Sequence, residues 1–171
     1  GFFKVLPSRR DLREGFFPML RGTAIGFFIG LFTGAGPTIS SFITYGVEQR
    51  ISRNPEKFGK GAIAGVAGPE TANNAATGGA LVPMLSLGLP SSPSTAIMLA
   101  AIIMFGLKPG PTLFREAPEL VWGLIASLYI GNVMLVVINI ACIPLIVFFM
   151  DRIRGYLPLA ILLLSSFGVY S

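Results

Sequence analysis

Long apolar stretches alternate with short charged connectors along this chain. Residues 1–15 carry several charges and are predicted to form a connector. Residues 16–47 are apolar apart from Arg21 and are interrupted at 34–37 by the sequence Gly-Ala-Gly-Pro. An apolar stretch of about 20 residues is long enough to span a bilayer as a helix. The pattern therefore predicts an all-α polytopic membrane protein.

The second half of the 16–47 stretch is too short to cross a membrane. Its apolar residues, 38–47, would form a helix of roughly 15 Å, against about 30 Å for the hydrocarbon core. Basic residues flank the whole stretch on both sides, which places both of its ends in the cytoplasm if positive charge marks that side. A re-entrant helical hairpin with its tip at 34–37 explains both observations. One long helix broken at Gly-Pro is the alternative.

A third stretch, 61–107, is rich in small residues and proline and contains one ionisable residue, Glu70. Its many large apolar side chains distinguish it from a disordered linker. The composition predicts a Gly/Pro-rich hairpin region made of short helical pieces. The predicted interruptions are at Pro69, Pro83, Pro90 and Pro93.

The last third of the chain is the most uniformly apolar. Residues 120–150 contain no charge, and 118–150 is predicted to be a long membrane segment. Within it we expect one full helix from about Pro118 to Asn139 and a bend near Pro144. Residues 156–171 are predicted to begin a further span. The ends of the sequence lead us to expect a piece of a longer transmembrane domain.

Composition favours lipid as the solvent and removes several classes of function. Only 12% of the residues are charged and the mean hydropathy is +0.73, whereas soluble domains carry about 25% charged residues. Nine of the 13 basic residues lie within positions 1–60 and flank apolar segments, which favours membrane anchoring over nucleic-acid binding. The chain has no histidine, which removes imidazole catalysis and the commonest transition-metal ligand. No catalytic residue, metal site or cofactor is therefore predicted.

Two breaks in the apolar pattern share one order of residues: a small residue, a proline and then hydroxyl side chains. Matched interruptions of this kind indicate a transporter binding site, and the N–H groups at a helix start bind anions. A simple helix break with its cap is the alternative at each. The predicted substrate-binding residues are Gly34, Gly36, Pro37, Thr38 and Ser40 at the first break, and Ser91, Ser92, Ser94 and Thr95 at the second, with Ser92 as an N-cap.

Glu70 is a third candidate, because an ionisable group within a membrane segment is a functional hypothesis by default. Asn73 and Asn74 follow three and four positions later, so a helix would place them on the same face as Glu70. If the backbone is unwound there, the carboxylate and amide oxygens could hold Na⁺ transiently or relay a proton. We predict that these residues serve a coupling ion. The alternative is a glutamate at the membrane edge that caps the next helix.

These segments resemble the large transmembrane permease subunit of the tripartite tricarboxylate transporter family, over almost the whole chain. The most specific element is Pro-Glu-Thr-Ala-Asn-Asn-Ala at 69–75. The other stretches that carry the resemblance are 34–40, 59–63, 78–83, 105–111, 120–127 and 129–134.

The resemblance implies that the chain is part of a single transmembrane permease domain of an elevator-like secondary transporter in the bacterial inner membrane. It implies uptake of tricarboxylates or related organic acids, coupled to Na⁺ or H⁺. It also implies two protein partners, a small membrane subunit and a periplasmic solute-binding protein.

Three positions depart from the family pattern. Thr33 stands where the family has proline, Ser91 where it has glycine, and Ala64 where an acidic residue is expected. If position 91 requires a positive φ, serine fits less well than glycine.

An ion channel or other intramembrane pore is the alternative function. A channel is expected to carry a repeated pore-lining motif, and no filter-like motif is visible in the sequence. An intramembrane enzyme would need paired carboxylates or a nucleophile with a base, and the single glutamate of the 61–107 stretch argues against it.

Overall fold

The computed structural model describes residues 7–32 and 36–170, apart from the side chain of Tyr170. Contacts divide the described residues into two compact units, 7–125 and 126–170. All regular secondary structure in these ranges is helical. The helices are α1 (Arg9–Phe32), α2 (Gly36–Ile51), α3 (Ala64–Leu87), α4 (Pro93–Met104), α5 (Leu113–Glu116), α6 (Pro118–Ile153) and α7 (Leu157–Tyr170), with a 3-10 turn at Pro55–Lys57.

Helix α1 begins at Arg9, so residues 9–15 are helical and do not form the predicted connector. Ser8 and Asp11 explain this start. The Asp11 N–H donates to Ser8 Oγ at 3.2 Å, and the Ser8 N–H donates to Asp11 Oδ2 at 2.8 Å. The two residues thus form a reciprocal capping box, which satisfies backbone donors that have no partner within the helix.

Helices α1 and α2 pack antiparallel as a hairpin. Arg21 of α1 contacts Glu48 of α2, and Gly36 at the start of α2 lies beside Gly30 near the end of α1. One straight helix would separate residues 21 and 48 by about 40 Å. Helix α2 extends to Ile51, so Glu48 belongs to the hairpin and not to the charged connector that follows. Re-entry of this hairpin into the membrane stays a prediction.

Helix α3 runs without interruption through Pro69 and Pro83, so the predicted breaks at these two prolines are wrong. Proline removes one intrahelical hydrogen bond and crowds the preceding turn, a cost that neighbouring helices can offset in membrane proteins. Pro69 is buried against α2, where Ser41 Oγ donates to its carbonyl oxygen at 3.2 Å. Tertiary contacts therefore stabilise the helix at a residue where the local sequence alone predicts a break.

The chain leaves the helix before Pro90, and Pro93 is the first residue of α4. Gly88 ends α3 with a φ of +69°, and its N–H donates back to the carbonyl of Met84. The Leu89 N–H donates to the carbonyl of Pro83 at 3.2 Å. A left-handed glycine with these two bonds is a common helix C-terminus, and it turns the chain toward α4.

Helix α1 lies on α3 with almost no side chains between the two backbones. The buried residues of α1 are all glycine or proline: Gly15, Pro18, Gly22, Gly26 and Gly30. A Cβ added to Gly22, Gly26 or Gly30 would overlap a backbone carbonyl of α3, at Gly68, Ala72 and Ala76 in turn. The residue numbers of the contacting pairs increase together along α1 and α3, so the two helices run parallel. Small residues four apart allow this close approach in membrane helix pairs.

A separate apolar cluster joins the end of α3 to α4, α5 and the start of α6. Its buried members are Met84, Leu85, Ile102, Leu113 and Val121. The cluster fixes the second half of the 7–125 unit, where the helices are shorter and carry larger side chains.

Helix α6 continues through Pro144 to Ile153, beyond the predicted end near Asn139. Within the described ranges, α1 and α6 are the two helices that are long and apolar enough to cross a membrane, judged by length and composition. Val121 is the buried residue of α6, and its large apolar side chains from Trp122 onward are mostly exposed. Exposed apolar surface on this scale needs lipid or further protein to cover it. The fold is that of an α-helical membrane protein.

The close contact of α1 with α3 is tested by Gly26→Ala in the full-length protein. The added methyl meets the Ala72 backbone, so the free energy of unfolding should fall by about 2 kcal/mol or more. Gly46→Ala in α2 is the matched control, since nothing lies within 4 Å of its added Cβ. Alanine there should be neutral or stabilise by up to about 1 kcal/mol. Melting curves in detergent measure both, and equal melting temperatures would contradict the contact.

Candidate functional site

The two breaks come together in space. Ser91 Oγ, in the loop before α4, donates to the carbonyl oxygen of Gly30 near the end of α1 at 3.4 Å. An ideal Cβ on Gly36, at the start of α2, would lie 3.3 Å from the Gly30 Cα and 3.8 Å from the Ala76 Cβ of α3. The start of α2 and the loop before α4 therefore meet around Gly30, although 61 residues separate Gly30 from Ser91.

Hydroxyl groups of the first break mostly hold α2 onto α3. Ser40 is fully buried, and its Oγ donates to the carbonyl oxygens of Pro37 at 2.8 Å and Ala72 at 3.2 Å. Ser41 repeats the pattern one position later, with the carbonyls of Pro37 and Pro69. A hydroxyl has one proton to donate, so neither serine has one left for a ligand in this arrangement.

The second break contains the N-cap that the sequence predicts, and Ser92 is confirmed in that role. The Thr95 N–H donates to Ser92 Oγ at 3.2 Å, and the Ser92 N–H donates to Thr95 Oγ1 at 2.8 Å. Thr95 is buried, so this capping box uses both side chains for structure. Ser94 and, in the first break, Thr38 are exposed instead. Neither makes a side-chain hydrogen bond among the described residues.

Ser91 tolerates its position without backbone strain. Among the described residues every positive φ belongs to a glycine, and in this turn that glycine is Gly88. Residue 91 has no positive φ here, so the condition under which serine would fit less well than glycine is not met. Gly34 and Thr33, which were singled out at the first break, lie outside the described residues.

Glu70, Asn73 and Asn74 lie on α3, which is helical throughout this segment, so the unwound alternative does not apply. Glu70 and Asn74 are exposed and Asn73 is half-buried. Glu70 and Asn74 lie on the exposed face of the α3 segment that holds Ser40 and Ser41, whereas Asn73 lies one turn after Pro69, whose carbonyl Ser41 contacts. No hydrogen bond or ion pair links any of the three to either break within the part of the chain that is described.

Sequence reasoning missed a buried ion pair between α1 and α2. Arg21 donates through Nε to Glu48 Oε1 and through Nη2 to Glu48 Oε2, both at 2.7 Å. Only 1% of the Glu48 side chain is exposed, against 40% for Arg21. Two parallel hydrogen bonds to one carboxylate make this the strongest polar contact in the hairpin. It explains why α1 tolerates an arginine inside an apolar segment.

The missed signal is a row of polar residues four positions apart in α2, at Ser40, Thr44 and Glu48. Spacing of four places them on one helix face, and all three are buried against the neighbouring helices. Thr44 Oγ1 is buried and has no hydrogen-bond partner among the described residues. A periodic polar face within an apolar helix indicates contact with protein, so it could have predicted this interface.

Comparison with known families identifies the chain. The model of the Tripartite tricarboxylate transporter TctA family matches residues 2–171. The chain belongs to the TctA family. This is a family of transporters and not of enzymes, and its members are membrane components of tripartite systems.

Two curated relatives come from Agrobacterium vitis, and both are uncharacterized. One, a 52.8 kDa protein in the TAR-I ttuC' 3' region, is 42% identical over 164 residues, which is 96% of this chain and 33% of the relative. The other, from the TAR-II ttuC' 3' region, is 44% identical over 146 residues, 85% of this chain and 60% of the relative. The chain thus spans about a third of the first relative and three fifths of the second. No solved structure matches.

Two of the departures from the TctA family pattern, at Ala64 and Ser91, can be located in the structure. Ala64 is the first residue of α3, at the end of the hairpin opposite to the breaks. Ser91 adds a side chain whose hydroxyl reaches Gly30, a contact that glycine could not make.

The Arg21–Glu48 pair is tested by Arg21→Met in the full-length TctA-family protein. The change leaves a buried carboxylate without a partner, which should cost about 3 kcal/mol, the low end for such pairs because Arg21 is partly exposed. Arg21→Met combined with Glu48→Leu should recover most of that loss. Arg10→Met, which breaks the exposed Arg10–Glu14 pair, is the matched control and should leave the melting temperature unchanged. A double variant as unstable as Arg21→Met would contradict this account.

Proposed function

We propose that this chain is part of the permease subunit of a binding-protein-dependent secondary transporter that takes up tricarboxylates or related organic acids. The observation that carries the proposal is the meeting of two proline–hydroxyl breaks at Gly30 in a member of the TctA family. Interrupted helices whose starts converge are how many carriers present N–H groups to an anionic substrate.

The substrate carboxylates bind between the starts of α2 and α4. The N–H groups at the start of a helix carry partial positive charge, which attracts an anion. At the start of α4 the Thr95 N–H is already bonded to Ser92 Oγ, so the N–H that this turn offers to a substrate is that of Ser94. Thr38 and Ser94 supply exposed hydroxyls, and Ser91 can exchange its long 3.4 Å contact with Gly30 for a substrate oxygen. Ser40, Ser92 and Thr95 position these groups, because their own hydroxyls already bind protein.

In this proposal the coupling ion binds at Glu70, Asn73 and Asn74. An ionised Glu70 would repel the carboxylates of the substrate, so its place on a face of α3 away from the breaks favours a role with Na⁺ or H⁺. Carboxylate and amide oxygens are suitable ligands for Na⁺, and a carboxylate can also carry a proton. The exposed side of α3 would be completed by the part of the protein beyond this chain, since the chain spans a third of one relative.

The whole system includes a small membrane subunit and a periplasmic solute-binding protein, in the bacterial inner membrane. Transport proceeds by elevator-like movement of the hairpin residues against residues 118–150 as scaffold. A channel would be expected to carry a repeated pore-lining motif, and no filter-like motif is visible in the sequence.

Coupling is tested by gradient-driven uptake of labelled citrate in cells that express the full-length subunit with its two partners. Glu70→Gln should abolish uptake driven by a Na⁺ or proton gradient at equal membrane expression, because the amide cannot carry the charge. Glu56→Gln, outside the apolar segments, is the matched control and should transport normally. Normal uptake by Glu70→Gln would reduce Glu70 to a structural role. Absence of citrate uptake in the wild type would redirect the assay to other organic acids.

Substrate contact is tested by comparing hydroxyls that are exposed with those that cap. Thr38→Val and Ser94→Ala should each raise the KM for uptake about tenfold or more, since each removes a hydrogen bond to a charged group, and should leave the melting temperature unchanged. Ser92→Ala should instead lower the stability by about 1 kcal/mol through loss of the cap. If Thr38→Val and Ser94→Ala transport with unchanged KM, the breaks serve only to end helices.

A further inference from the structure

A polar cavity of about 600 Å³ lies at the end of the hairpin opposite to the two breaks. It forms where α1 begins, α2 ends and α3 begins. Three cationic side chains and one acidic side chain line it: Arg10, Arg53, Lys57 and Glu14.

The cavity has positive charge that the described part of the protein does not neutralise. Arg10 Nε donates to Glu14 Oε1 at 2.7 Å, so these two charges cancel locally. Arg53 and Lys57 make no side-chain hydrogen bond or ion pair among the described residues. Residues 62–64 of the same cavity lead into α3, which begins at Ala64, and Ile63 at its N-cap provides no side-chain hydrogen bond. The positive end of the α3 dipole therefore adds to the two unpaired cations.

The charge distribution indicates that this end of the hairpin lies at the membrane surface. Outside the Arg21–Glu48 pair, residues 7–60 contain seven basic and three acidic side chains, and all ten lie at this end. Positive charge of this kind marks the cytoplasmic side of membrane proteins. Helix α1 has 24 residues and is about 36 Å long, which exceeds a hydrocarbon core of about 30 Å, so its first turns reach the headgroups.

An apolar groove adjoins the cavity along the hairpin. The groove has a volume of about 250 Å³ and is lined by Ser41, Phe42, Tyr45 and Pro69. Tyr45 packs edge-to-face on Phe58 with ring centroids 5.4 Å apart, and Phe58 lines the cavity. The contact between the two rings places the groove beside the cavity, and the groove residues Ser41 and Phe42 lie farther along α2 toward the breaks.

We propose that this cavity binds the phosphate of an anionic phospholipid from the cytoplasmic leaflet, with an acyl chain along the groove. Arg53 and Lys57 pair with the phosphodiester, and the start of α3 faces the same charge. Basic pockets between membrane helices on the cytoplasmic side suit such headgroups. A soluble phosphate would share the pocket but gain nothing from the apolar groove. The site is independent of the proposed transport function.

Native mass spectrometry of the purified, delipidated full-length subunit tests the site by titration with phosphatidylglycerol, phosphatidylcholine or inorganic phosphate. Arg53→Gln combined with Lys57→Gln should weaken phosphatidylglycerol binding about 30-fold and leave phosphatidylcholine binding unchanged. Arg50→Gln combined with Lys60→Gln is the matched control. It removes the same charge at the same end from residues that do not line the cavity, and should change binding less than about threefold.

Three outcomes would overturn the proposal. An equal loss of phosphatidylglycerol binding in the control would mean general charge attraction and no defined site. Inorganic phosphate that binds the wild type as tightly as phosphatidylglycerol would identify a soluble ligand as the occupant. Unchanged phosphatidylglycerol binding in the Arg53/Lys57 variant would exclude the cavity altogether. Both variants alter exposed side chains without partners, so folding should be retained, and the melting temperature checks this.

Discussion

Direct backbone contact between α1 and α3 positions everything else in the 7–125 unit. Three glycines of α1, four residues apart, bring that helix against the carbonyls of Gly68, Ala72 and Ala76. A lipid-facing bundle gains little from hydrophobic burial, since lipid tails are as apolar as the side chains, so dispersion contacts at this short range have to supply the attraction. The parallel register of α1 on α3 then determines where α2 returns and where the loop before α4 meets the end of α1.

Polar groups between the helices fix the relative position of the helices, which dispersion contacts alone would not specify. The Arg21–Glu48 pair and the Ser40 and Ser41 hydroxyls fix how far α2 slides along its neighbours, because each bond has one geometry and an unpaired charge in this interior would be costly. These groups serve the fold, and that separates them from the exposed hydroxyls of Thr38 and Ser94. Hydroxyls that look equivalent in the sequence therefore differ in burial and in the contacts they make.

The two ends of the hairpin have different chemistry. One end gathers the helix breaks, and residues 22–47 contain no charged side chain, which suits the anion-binding role proposed for the helix starts. The other end collects the basic residues and the cavity proposed for a lipid phosphate. Membership of the TctA family gives the first end its proposed function, whereas the second end is argued from charge and cavity shape alone.

The sequence by itself determined the helical class, the membrane setting, the family, the break at Pro90–Pro93 and the Ser92 cap, because hydropathy, proline placement and capping act over a few residues. The tertiary structure decided that α3 continues through Pro69 and Pro83, that Ser40 and Thr95 are buried, and that Arg21 pairs with Glu48. It also decided between the predicted hairpin of α1 and α2 and the alternative of one long broken helix. The physical reason is that a proline break, a hydroxyl and a buried charge each have a local and a long-range solution of similar energy. Contacts with neighbouring helices decide between the local and the long-range solution, and a local sequence pattern does not show which helices will be neighbours.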